Sequence, residues 1–97
     1  SNTHYSGGNV ERDEILKEAS KLIYGDRQDD YGHPSDNFDR IAKLWSVILK
    51  MDVQMWQVAL CMNQVKVARL VNEPAKLDSW IDGAAYMALG GELATEN

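Results

Sequence analysis

The chain has 97 residues, enough for one hydrophobic core and too few for two. An apolar share of 44% and a charged share of 26% are those of a folded globular domain and exclude a disordered tail. Ten basic against fifteen acidic residues leave a net charge of −5, which excludes bulk attraction to nucleic acid or anionic lipid but leaves room for a local basic pocket.

Residues 1–10 are polar and Gly-rich and predict a loose tail, with residues 11–97 as a single helical domain. Between Glu11 and Tyr24, Ile15, Leu16, Ala19, Leu22 and Ile23 recur at helical spacing with charges on the other face, and Gly25 ends this first helix. Gly25–Pro34 (GDRQDDYGHP) reads as a loop, because two glycines, a proline and three aspartates crowd into ten residues. Ser35 is the expected N-cap of a second helix with Phe38, Ile41, Trp45 and Ile48 in one stripe. Asp52 is the expected cap of a third, running to Val71, with Trp56, Leu60, Asn63, Val67 and Leu70 along one side. Asn72–Ala75 (NEPA) makes a short turn. A fourth helix, Lys76–Leu93, carries Leu77, Trp80, Ile81, Ala84, Ala85, Ala88 and Leu89. Nothing alternates with a period of two, so the prediction is all-α: an antiparallel four-helix bundle.

The three tryptophans, Trp45, Trp56 and Trp80, fall at helical core positions, and Cys61 sits mid-helix as a small hydrophobe. Gly83–Gly91 (GAAYMALGG) is rich in small residues that permit close helix approach, inside the fold or between subunits. That face and the tryptophans offer more apolar surface than a monomer of this size easily hides, so a homo-oligomer, a dimer or higher, is expected. A lone cysteine has no intrachain disulfide partner, no run reaches the ~20 apolar residues of a membrane span, and the start does not read as a signal peptide. The expectation is a cytoplasmic protein without membrane contact. Ser1 in place of an initiating methionine points to a processed chain.

The chemistry concentrates in two places. Folding back on the short turn sets Arg69 opposite Asp78 and Lys66 opposite Asp82, two cations and two carboxylates along one seam. One reading is a salt-bridge ladder that fixes register, its Coulomb gain offset by desolvation. The other is an anion site, with Lys66 as a point charge for phosphate, Arg69 as a bidentate fork and the aspartates holding both. Asn63 and Tyr86 complete this candidate set. A Mg²⁺ version with Asp78 and Asp82 as ligands needs further carboxylates and is opposed by the adjacent cations. The loop is the second place: Arg27 can reach a phosphate, Tyr31 can stack on a base, Gly32 lets a backbone approach, and His33 is a polar neighbour. Its acids, Asp26, Asp29 and Asp30, with Asp36 beyond it, do not have the spacing of an EF-hand. No Gly-rich phosphate loop, nucleophile elbow or zinc spacing is present.

LIYGDRQDDYGHPSDNFDRIAKLW, QVKVARL and DSWIDGAAYMAL contain the patterns G-D-R-x-x-x-Y-G-x-P, K-x-x-R and D-x-x-x-D-x-x-x-Y. Together these resemble a small phage and prophage domain family of unassigned activity, over Ile15 to Leu93. That family is similar to the nucleotide-modification-associated domains of phages and, more distantly, to the all-α nucleoside triphosphate pyrophosphohydrolases of the MazG type. The resemblance implies a helical, commonly oligomeric, nucleotide-handling protein in the host cytoplasm. MazG-type enzymes hold Mg²⁺ through E-x-x-E on one helix and E-x-x-D on the next. Here Glu11 and Glu14 have the first spacing, but Lys66-x-x-Arg69 stands in place of the second pair. Cations where metal ligands belong favour nucleotide binding without hydrolysis or cofactor, as in sequestering a host-defence signal. A Mg²⁺-dependent pyrophosphohydrolase is the alternative, and a structural or adaptor bundle the third.

Overall fold

The computed structural model describes residues 9–25 and 34–96. Four helices follow one another, α1 (Arg12–Tyr24), α2 (Pro34–Leu49), α3 (Met55–Asn72) and α4 (Leu77–Thr95), and the described residues contain no strand. This agrees with the all-helical expectation. At the centre stands the antiparallel pair α3–α4; α1 packs on α4, and α2 packs on α3. The stretch Asp26–His33, which includes the candidate residues Arg27, Tyr31, Gly32 and His33, lies outside the described residues.

The helix ends differ from the sequence expectation in instructive ways. α2 starts at Pro34, so Ser35 lies inside the helix and does not cap it. Proline suits a first helical position, where its fixed φ is already helical and its missing N–H would have no partner. α3 is capped by Gln54, not Asp52: Gln54 and Gln57 exchange side-chain-to-backbone hydrogen bonds, with Gln54 N–H donating to Gln57 Oε1 at 2.8 Å. Asp52 instead accepts from the Gln54 amide at 2.6 Å and so orients the cap. α4 starts and ends slightly later than expected, at Leu77 and Thr95. Between α2 and α3, Lys50 adopts φ 56°, and the Met51 N–H reaches back to the Ser46 carbonyl at 3.3 Å. That is a left-handed helix stop made without glycine. The Ser46 hydroxyl donates to the Ala42 carbonyl at 2.7 Å and accepts from the Val53 N–H at 2.9 Å, which fixes where α3 begins.

Two apolar clusters hold the helices. In one, Phe38 and Ala42 of α2 meet Val58 and Ala59 of α3, with Trp45, Met62, Tyr86 and Leu89 around them. In the other, Ala19 of α1 meets Ile81 and Ala85 of α4. The predicted α3 stripe is displaced. Val58 and Ala59 are its buried residues, whereas Trp56, Leu60 and Val67 are exposed. The cause is the seam: a Cβ on Gly90 would come within 3.0 Å of the Ala59 Cβ, so α3 and α4 approach too closely for an indole to fit between them. Of the three tryptophans only Trp45 packs on a core; Trp80 is 50% exposed and donates its indole N–H to the Pro74 carbonyl at 2.8 Å. Cys61 is exposed as well. On α2, Phe38, Ile41 and Trp45 pack as expected and Ala42 joins them, whereas Ile48 lies open together with Leu44 and Val47. Among the described residues no helix is long and apolar enough to cross a membrane.

Candidate functional site

The short turn after α3 produces the register that the sequence requires. Lys66 Nζ lies 3.0 Å from Asp82 Oδ2, with the lysine side chain only 14% exposed and the aspartate 30%. Among the described residues Asp82 is the one ion-pair partner of this ammonium. An ammonium carries three donors, so a single carboxylate leaves capacity for another acceptor in a place that water reaches poorly. The second rung of the expected ladder is not formed. Arg69 is exposed, and among the described residues its side chain enters no ion pair; Asp78, in the first turn of α4, is half-buried.

Lys66 separates two clefts. The first, of about 210 Å³, is bounded by Lys66, Asp82, Tyr86 and Leu89 from the central pair and by Leu22 and Ile23 from α1. Tyr86 is held there by its ring, whose centroid lies 6.2 Å from that of Phe38 with the planes 27° apart. Ile23 of α1 thus lines this cleft, and Phe38 of α2 stacks on the Tyr86 ring of its wall. The second cleft, of about 350 Å³, opens between α1, α3 and α4. Lys66, Asn63 and Ser79 are its polar residues, while Ile15, Trp80 and Met87 form much of its apolar wall.

Gly83 shapes this second cleft. A Cβ at that position would sit 2.9 Å from Asn63 Oδ1, so the glycine is what lets the amide lie against α4. Sequence reasoning found Asn63, Lys66, Asp82 and Tyr86, which the fold brings to the two clefts, but it missed Ser79 and Gly83. A signal for them existed: Ser79, Gly83 and Met87 are spaced by four and share one helix face. Among the described residues no three of His, Cys, Asp and Glu converge as a metal site would require, and Glu11 and Glu14 are exposed at the start of α1.

A family model described as a domain of unknown function (DUF6378) matches residues 14–94. The Gene 55 protein of Mycobacterium phage D29 is 42% identical over 72 residues, covering 74% of this chain and 48% of the phage protein. That of Mycobacterium phage L5 is 34% identical over 73 residues, covering 74% and 47% respectively. The chain thus spans about half the length of the curated relatives it matches. No solved structure matches it.

Proposed function

The chain belongs to the DUF6378 family, with phage proteins among its relatives, and we propose that within it this domain binds a nucleotide through its phosphate at Lys66 without hydrolysing it. One observation carries the reading: an ammonium with 14% exposure has one carboxylate partner and lines two clefts at once. A phosphate entering the Lys66–Asp82 cleft satisfies the remaining donors with charge-assisted hydrogen bonds, which are shorter and stronger than neutral ones. Asp82 keeps the ammonium in place before the ligand arrives. Tyr86 offers a ring and a hydroxyl on the same wall.

Hydrolysis by a MazG-type Mg²⁺ mechanism is the second reading, resting on the distant resemblance and on the abundance of carboxylates in the chain. Self-association is also proposed. Leu44, Val47 and Ile48 recur at helical spacing and are 57–77% exposed, a second apolar stripe that α2 does not use within the subunit.

Calorimetry with pyrophosphate and nucleoside 5′-phosphates, in EDTA, tests the phosphate reading. Binding is expected to persist in EDTA and to weaken at least tenfold, about 1.4 kcal/mol, in Lys66→Met. Affinity abolished by EDTA, or turnover of a triphosphate with Mg²⁺, favours the hydrolase. No binding at all, with Lys66→Met merely melting earlier, makes the ion pair a structural fastener.

A further inference from the structure

Ser79 is the one buried polar residue of the described core, 3% exposed, and its hydroxyl has no hydrogen-bond partner among the described residues. A buried hydroxyl without a partner carries an uncompensated desolvation cost, and a serine in the first turn of a helix has easy alternatives, so its place there asks for a reason. Ser79 lines the larger cleft. So does Asn63, whose amide also makes no hydrogen bond to a described residue and lies against α4 only because position 83 lacks a side chain. Lys66 is the third polar residue of the same cleft, and its charge is already balanced by Asp82. The remaining walls are apolar, including the half-exposed indole of Trp80 and the thioether of Met87.

We infer that this cleft is a subsite for a flat, neutral heterocycle with an adjacent donor and acceptor on its edge, a nucleobase, read by Asn63 and Ser79. The chemistry narrows the choice. An acyl chain would fill the walls but leave Ser79 and Asn63 without partners, which is the costly outcome. A sugar would satisfy them, but its ring of hydroxyls asks for more polar partners than Asn63, Ser79 and Lys66 supply. A primary amide presents one acceptor and two donors side by side, the complement of a base edge such as that of adenine. At about 350 Å³ the cleft lies near the lower end of the range for small-molecule sites, roughly 300–1,000 Å³. The inference rests on the phosphate reading for its geometry: Lys66 lines both clefts, so one nucleotide can set its phosphate against the ammonium and its base beside Asn63 and Ser79.

The test uses three kinds of probe against the full chain: the four common nucleosides, their 5′-monophosphates, and pyrophosphate. Trp80 fluorescence and calorimetry give independent readings. At least one nucleoside is expected to bind and to quench Trp80. Asn63→Leu is expected to weaken that nucleoside and its monophosphate at least tenfold while leaving pyrophosphate unchanged. Ser79→Ala should weaken both less, since one hydrogen bond is lost and an unpaired hydroxyl removed. If Asn63→Leu does not fold, Gly83→Ala, which pushes the amide out of its place, carries the same test. Pyrophosphate binding with no response to any nucleoside overturns the base subsite and leaves the phosphate reading standing. Nucleoside binding that Asn63→Leu abolishes, with no pyrophosphate binding, does the reverse. A monophosphate bound equally by wild type and Asn63→Leu overturns the subsite outright.

Discussion

The α3–α4 seam uses a glycine of α4 at each end, for opposite purposes. At Gly90 the missing side chain admits the Cβ of Ala59, and the helices close on each other. At Gly83 it admits the Asn63 amide, one turn from the Lys66–Asp82 pair, and the seam there opens into clefts on both sides. The same residue type thus serves packing at one end and polar chemistry at the other. What separates them is the partner: a Cβ rooted in the backbone cannot give way, whereas the end of an amide can.

Substitutions sharpen this contrast. Gly90→Leu should be the most damaging, because the added side chain meets backbone-anchored atoms; overpacking of this kind costs about 1–3 kcal/mol and occasionally more. A urea midpoint within error of wild type would show that the closed end is looser than the 3.0 Å approach implies. Asp82→Ala comes next. It strands an ammonium that is only 14% exposed, and a loss of about 1.5–3 kcal/mol is expected. Replacing both partners, Lys66→Met with Asp82→Leu, should restore most of it, since two apolar groups carry no desolvation penalty. If the double variant is no better than the single, the pair stabilises the fold in its own right.

The smallest effects come from the remaining helix glycines. Gly91 has open space where a Cβ would go, so Gly91→Ala should raise stability by the helix-propensity difference, about 1 kcal/mol. Gly83→Ala gains the same propensity but forces Asn63 from its rotamer, a cost of about 0.5–1.5 kcal/mol, and should leave the melting temperature nearly unchanged. A large loss at Gly83 would mean that the amide is as rigidly held as Ala59.

The helices were legible because their apolar residues repeat at 3.6 and their connections are short. The Lys66–Asp82 pair was legible for the same reason: a four-residue turn leaves little choice of register. The faces were harder. α3 carries two overlapping apolar stripes, and periodicity cannot tell the one through Val58 and Ala59 from the one through Trp56 and Leu60. The choice is made by Gly90, thirty-odd residues away, which favours the stripe with the smallest side chain at the crossing. Ser79 was missed because a serine in a helix reads as surface until the neighbouring helices are known. The cap at Gln54 was missed because Asp52 is the stronger capping residue in isolation.

Lys66 has a consequence beyond either cleft. One ammonium forms part of both walls, so an occupant that draws it to one side changes what the other side offers. Thermodynamic linkage then applies: whatever factor the first occupant imposes on the second, the second imposes on the first. Two fragments held on opposite sides of this lysine do not act as independent guests. Joined by a covalent bond of the right length, they meet the lysine as a single molecule, and the second contact is made at the high effective concentration that the first creates.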